Sequence, residues 1–289
     1  MAQQLTNPPT LPGRRFRPGF ASVCLSILLL AAVAYAFQKP FRVYRSLEPY
    51  DNVPVPEGGD RPSEWVFGRL MYPSSPYARF GGYGNWLQGG TSWTVDYPRG
   101  DRHFVTALQR LTLLDVRPLE QPVNPDDGDD IYNWPWLYVD LPGSWDLTDA
   151  QAEKIRDFLL RGGFLMADNF WGQEEWDIFE AGMRRIFPDR EMVELDTDHH
   201  LFHSVFDVGE RYQIPGQWAI RRGTMNRNGG VIPYWGGVFD DKGRVVVAIS
   251  FNSDVGDSWE FADDPTYPEH YSALGLRLGA NYVVYALTH

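Results

Sequence analysis

The sequence predicts an α/β fold of three layers, a mostly parallel sheet with helices on both faces. Two observations predict it. First, apolar runs too short for helices (WLYVDL at 136–141, FLMA at 164–167, VVVAISF at 245–251) alternate with amphipathic helical stretches at 101–114, 149–161, 174–187 and 271–287. Strands buried on both faces of a parallel sheet read as continuous apolar runs, and helical crossovers must join them. Second, the segment 162–172, GGFLMADNFWG, reads as helix stop, buried strand, then polar groups at the strand's carboxyl end. In open α/β sheets that edge is where ligands bind.

The elements follow in order. Residues 1–36 stand apart: Arg14, Arg15 and Arg17 precede an uncharged apolar run at 20–37, and Ala34-Tyr35-Ala36 has the small-x-small form of a signal-peptidase site. A cleaved signal peptide is the first expectation. An uncleaved N-terminal membrane anchor is the second, because the run is nearly long enough to span a bilayer. Either one exports the rest of the chain, which places it in the periplasm or elsewhere in a bacterial envelope. Residues 37–62 carry five prolines and read as an extended tether. Residues 63–289 read as a single α/β domain.

Within it, residues 64–72 (EWVFGRLMY) form the first strand candidate. Residues 73–95, rich in Gly, Ser and aromatics, read as a long mobile loop. Phe104, Leu108 and Leu111 share a face of a helix over 101–114. A short strand at 115–119 and an acidic loop at 121–133 come next, then the strand at 136–141. Thr148 and Gln151 have capping-box spacing, so a helix starts at Thr148, and Gly162 is placed to end it. After the strand at 164–167, a helix over 174–187 must stop at Pro188. A strand at 192–195 precedes an irregular or β-rich stretch, 207–240. The β-branched run 245–251 is a central strand. A last helix at 271–287 sets Leu274, Leu278, Tyr282 and Tyr285 at helical spacing.

Composition narrows the function classes. The chain carries 26 Lys+Arg against 38 Asp+Glu, a net charge of −12. Three of the basic residues and none of the acidic ones precede residue 37, so the remainder has 23 against 38, or −15. That balance argues against nucleic acid and anionic membrane surfaces as partners. Cys24 is the sole cysteine, so removal of the signal would exclude disulfides, cysteine metal sites and thiol nucleophiles. No Gly-x-Ser-x-Gly elbow, phosphate loop or dinucleotide fingerprint is present, and Gly81-Gly82-Tyr83-Gly84 precedes no helix.

Strands end in Asp140, Asp168-Asn169, Asp196 and Asn252-Ser253-Asp254. If the strands are parallel, these groups gather on one edge. The candidate binding edge therefore comprises Asp96, Tyr97, Asp168, Asn169, Trp171, Asn252, Asp254, Asp257 and Trp259. Its carboxylates and amides suit a cation or sugar hydroxyls, but the same residue types cap helices and close turns. The run 196–203 (DTDHHLFH) offers His199, His200 and His203 as metal ligands. It lacks an HExxH pattern and reads better as a solvated loop entering a short helix, so no metal or other cofactor is expected. Asp126, Asp127, Asp129 and Asp130 lack the EF-hand spacing and read as a solvated acidic loop. Of the 11 tryptophans, Trp86, Trp93, Trp171 and Trp259 fall in predicted loops or beside strand ends, where an indole stacks on a sugar, anchors a partner or packs beneath its own loop. Trp65, Trp136 and Trp176 read as core.

Several segments together resemble the domain-of-unknown-function family 4159. They are Asp96-Tyr97-Pro98 before a helix, 162–172, Glu194-Leu195-Asp196 followed by His199-His200-Leu201-Phe202, 252–260 (NSDVGDSWE) and 278–287 (LGANYVVYAL). The resemblance implies a flavodoxin-like sheet, similar also to class I glutamine amidotransferases. It supplies no catalytic residues, and the Cys nucleophile of those amidotransferases is absent. The function expected is non-catalytic binding of a protein partner or glycan in the envelope. The alternatives are a metal-assisted hydrolase of carbohydrate or ester, with Asp168 or Asp254 as base or ligand and a loop histidine as acid, and an accessory subunit of a membrane complex held by residues 20–37.

Overall fold

The computed structural model describes residues 38–48, 53–78 and 84–289, and the account below concerns the unit Pro40–His289. The signal or anchor segment expected at 1–36 lies outside the described residues, as does the glycine-rich piece 81–83. No helix among the described residues is long and apolar enough to cross a membrane.

Seven strands form one sheet: β1 (Gly68–Leu70), β2 (Gln121–Val123), β3 (Trp136–Asp140), β4 (Phe164–Phe170), β5 (Val193–Glu194), β6 (Tyr234–Phe239) and β7 (Val245–Phe251), in the spatial order β2-β1-β3-β4-β7-β6-β5. The five from β2 to β7 run parallel, and β6 pairs antiparallel with both β7 and β5. The sheet is thus mixed α/β and mostly parallel, as expected. The predicted strand at 115–119 is a correction. Only Val116 bridges Trp65 there, and the paired edge strand is β2, inside the predicted acidic loop. The hairpin strand β6 lies in the stretch read only as irregular or β-rich.

The helices are α1 (Arg99–Leu111), α2 (Asp149–Leu160), α3 (Gly172–Ile186), α4 (Gln217–Arg221), α5 (Val255–Glu260) and α6 (Glu269–Thr288). Strand alternation sorts them into two layers. Trp136, Tyr138, Phe164, Met166 and Ala248 face a core that holds Phe104 of α1, Val255 and Trp259 of α5, and Leu278 of α6. Leu137, Val139, Leu165, Ala167 and Ile249 face the opposite core, which holds Ile155 and Phe158 of α2 and Phe179 and Met183 of α3. The capping box at α2 is present in both directions, Gln151 N donating to Thr148 Oγ1 (3.2 Å) and Thr148 N to Gln151 Oε1 (3.0 Å). At the other end of α2, Gly162 turns with φ +117°. Arg244 donates there to the carbonyls of Leu159, Gly162 and Gly163, placing a cation on the negative pole of the helix.

Most of the tryptophans are accounted for by burial. Trp65, Trp136 and Trp259 gather around Phe104, with the Phe104 and Trp259 rings stacked at 4.2 Å. Trp93, Trp145 and Trp171 are buried as well. The segment 86–94, read as mobile loop, contains two short 3-10 turns and the fully buried Trp93, against which Tyr44 packs edge-on.

Candidate functional site

The carboxyl ends of the parallel strands open into a cleft of about 700 Å³. Several of the sequence-predicted residues meet there. Asp96, Asn169, Trp171, Asp254 and Asp257 line it, joined by Glu48, Trp218, Arg222, Asn226, Arg227 and Asn228. The topology makes this the place to look. The order reverses between β1 and β3, and crevices open at such switch points.

The backbone is bent where β3, β4 and β7 reach this edge, and again at Asp96 ahead of α1. Asp96, Leu141, Asn169 and Asn252 all adopt positive φ (58°, 47°, 63° and 56°), which costs an L-residue on the order of 1–3 kcal/mol. At Asn169 the bend interrupts the β4–β7 register between Asp168 and Phe170. The strand therefore does not end at Asp168, as its sequence suggests; it kinks there and continues to Phe170. The kink turns Asn169 toward the cleft, where its Oδ1 and carbonyl oxygen both accept from Arg227 (2.9 and 2.8 Å). Glu175 at the start of α3 accepts from Trp171 N (2.7 Å) and from Asn228 Nδ2 (2.6 Å). Asn252 Oδ1 accepts from Gly172 N at 2.9 Å and its amide donates to the Ile232 carbonyl. Asn252 is therefore a brace between β7, α3 and the following loop rather than a cleft residue.

Asp168 is buried beneath the cleft. It accepts from the N–H groups of Val255 (3.2 Å) and Gly256 (2.8 Å) and from the Tyr138 hydroxyl (3.0 Å). Asp254 caps α5, its Oδ1 accepting from Asp257 N at 3.0 Å, and Asp257 Oδ2 accepts from Gln217 N at 2.5 Å. Capping and cleft lining thus coexist in the same carboxylates. Tyr97 and Trp259 do not share this position. The Tyr97 hydroxyl accepts from Tyr44 N inside the core, and the Trp259 indole donates to the Gly275 carbonyl. Trp171 borders the cleft yet is only 1% exposed.

Asp96 is 1% exposed, and neither of its carboxylate oxygens has a hydrogen-bond partner, while its N–H donates to Glu48 Oε2 at 2.8 Å. Glu260 is buried with both oxygens likewise unpartnered. Burial raises all these groups. Asp96 is pushed well above the carboxylate range by burial and then by the charges of Asp140, Asp257 and Asp254. Asp257 rises well above it by burial and then Asp254. Asp168 rises to about 8 by burial and then Asp254, and Asp254 to about 6 by burial, against the opposing charge of Arg227. Glu260 rises to about 9 by burial and then Glu48. Desolvation and like charge both disfavour ionisation.

Beside the cluster, Arg69 of β1 is buried between two acids. Its Nε and Nη2 donate to Asp101 of α1, and its Nη1 reaches Asp140 Oδ2 at 3.4 Å and the carbonyls of Trp93 and Val95. The guanidinium lies over the rings of Tyr138 and Tyr97.

The remaining expectations resolve locally. His199 caps its own 3-10 turn by accepting from Leu201 N, His203 pairs with Asp207, and His200 lies against His289. None of the three lines the cleft. Asp196 follows the outermost strand and is exposed. In the acidic loop, Asp126 accepts from Gln151 while itself exposed, and the buried Asp130 accepts from the Trp134 indole; of the two, Asp130 is the one taken out of solvent. Glu48, Glu260, Trp218 and Arg227 are site residues that the sequence reading missed. Of these, only Glu260 had a signal, lying in the quoted block 252–260. Glu48 falls in the stretch read as tether, yet Arg45 bridges Gly89 and Leu47 N donates to the Thr94 carbonyl, which brings Glu48 to Asp96.

Fold and cleft together define an α/β protein with an acidic site at the carboxyl edge of an open sheet. The chain belongs to the DUF4159 family, described as a domain of unknown function, whose match covers residues 83–287. No curated protein matches the chain. The motifs behind the resemblance divide into two kinds. Asp96, 168–171 and 254–260 build the cleft and its floor. Asn281 of the 278–287 motif instead holds the 199–206 segment, accepting from Val205 N and Phe206 N and donating to the carbonyls of Phe202 and Phe206.

Proposed function

We propose that the protein is a non-catalytic binding domain of the bacterial envelope that takes a glycan into the cleft at the carboxyl edge of its sheet. The parallel strands run in the order β2-β1-β3-β4-β7, which supports the flavodoxin-like reading and its ligand position at the β1/β3 switch point. The observation that carries the reading is the lining of the cleft. Carboxylates (Asp254, Asp257), amides (Asn169, Asn226, Asn228) and guanidinium groups (Arg222, Arg227) converge there with the indole of Trp218, which is 67% exposed. This mixture matches vicinal hydroxyls with acceptors and donors, and a sugar ring with an aromatic face. The volume, about 700 Å³, falls in the range of small-ligand sites, roughly 300–1,000 Å³. A flat protein partner is less well served, because Trp171 and Trp259 are buried. A hydrolase that takes a loop histidine as its acid is less well served, because no histidine stands among the described lining residues.

The test is calorimetric titration of the full chain with neutral and acidic oligosaccharides, including peptidoglycan fragments. Binding is expected for at least one class. Trp218→Ala, a change at an exposed position, should weaken it roughly tenfold, the equivalent of about 1.4 kcal/mol. Absence of binding across the set, or affinity unchanged in Trp218→Ala, overturns the reading.

A further inference from the structure

We propose that Asp96, Asp254 and Asp257 form a binding site for a hard divalent cation on the wall of the cleft. The carboxylate oxygens these residues offer lie within 4.8 Å of one another, a spacing that one cation bridging three acids requires. The observation that distinguishes this group from an ordinary acidic patch is Asp96. It is 1% exposed and both its oxygens lack a hydrogen-bond partner, and a buried carboxylate left that way is destabilising until a partner or cation meets it. Asp254 and Asp257 direct Oδ1 and Oδ2, respectively, to backbone N–H groups. These bonds fix the two carboxyl groups in place, as outer-sphere contacts fix metal ligands.

Two of the arginines nearby have other carboxylate partners, although the charge of Arg227 also acts on Asp254. Arg69 forms its ion pairs with Asp101 and Asp140. Arg227 hydrogen-bonds to Asn169 and pairs with Glu175 at 3.8 Å. Asp96 also belongs to a second carboxylate triple, with Glu48 and Glu260, so the acidity extends behind the site. The donor set is oxygen alone, without imidazole or thiolate, which suits Ca²⁺, Mg²⁺ or Mn²⁺ and not zinc. All three aspartates line the cleft, which gives the ion an entry path from solvent. A cation held there would stand beside any ligand in the cleft, but its binding does not depend on the glycan reading and is measured without a glycan.

The full chain, stripped with EDTA and dialysed, is titrated calorimetrically with CaCl₂, MgCl₂, MnCl₂ and ZnCl₂ in turn, and its thermal unfolding is followed in parallel. Saturable binding of at least one of the first three is expected, with an unfolding temperature that climbs as that cation is raised. Asp96→Asn, which keeps the side chain's size, should weaken binding by more than about tenfold. Asp257→Asn should do the same if Asp96→Asn fails to fold. Asp127→Asn, in the separate acidic loop, should leave it unchanged. The site is refuted if millimolar Ca²⁺, Mg²⁺ and Mn²⁺ all leave heat and unfolding temperature unchanged, if only Zn²⁺ binds, or if a folded Asp96→Asn binds as the parent does.

Discussion

Near neutral pH the Asp168 carboxyl keeps its proton, because burial and then the charge of Asp254 move its pKa from 3.8 to about 8. In the unfolded chain it ionises at the ordinary value. The folded state therefore binds the extra proton between those limits. The stability this contributes is complete below about pH 4 and is lost as pH rises toward 8. Unfolding temperature measured in the presence of chelator should accordingly fall from pH 4.5 to 8.5, and Asp168→Asn should make that slope shallower. An unchanged slope in the variant would show that Asp168 is ionised in the fold. At this scale the sequence was legible where a residue stands at or just past a strand end: Asp168, Asn169 and Asp254 were read from that position, and Asp257 from its place one turn further on. Glu48 and Arg227 were not, because each reaches the cleft on a loop whose path is set by distant contacts, Arg45 with Gly89 in one case and Asn228 with Glu175 in the other. Trp171 and Trp259, which the sequence places beside strand ends with binding and packing both open, are buried, Trp171 at the border of the cleft. Trp259 has polar neighbours in sequence, and its burial comes from Phe104 of α1 and from α6 at Gly275.

Among the elements, those with local signals were found at nearly their observed bounds. Helix α2 is the clearest, since Thr148 and Gln151 satisfy each other's backbone N–H. Thr148→Ala removes one acceptor and should cost about 1 kcal/mol in urea unfolding, with an unchanged slope against denaturant. A loss below the error of the measurement would mean that tertiary packing alone fixes the helix start. Strands β3, β4 and β7 were legible because burial on both faces demands apolar runs. Strand β2 was not: Gln121-Pro122-Val123 offers one β-branched residue behind a proline, too short a signal to read, and the three are recruited by the register with β1. Strand β6 was hidden by Gly236-Gly237. At Gly237 a side chain would press on Val245 Cγ1 and the Val247 carbonyl, both about 3.1 Å away. The glycine that reads as loop is there the condition for close pairing.

Across the molecule, Arg69 ties four parts together with polar contacts: β1, α1 through Asp101, β3 through Asp140, and the 93–95 turn. Arg69→Met leaves Asp101 buried without its partner and should cost about 3–5 kcal/mol, a large share of the 5–15 kcal/mol typical of a domain. Arg69→Met combined with Asp101→Leu should recover part of that loss, as urea midpoints would show; a double variant no more stable than the single one would argue against an unpaired-charge penalty. One feature of the sheet bears on how copies of the chain treat each other. An open sheet is a template at both margins, offering unpaired N–H and carbonyl groups to any strand that arrives. Here one margin is β2, three residues long with a proline that has no N–H to give, and the other is β5, two residues long and ending in Glu194. Neither is long enough to seed edge-to-edge growth, so the chain can be crowded without polymerising through its sheet.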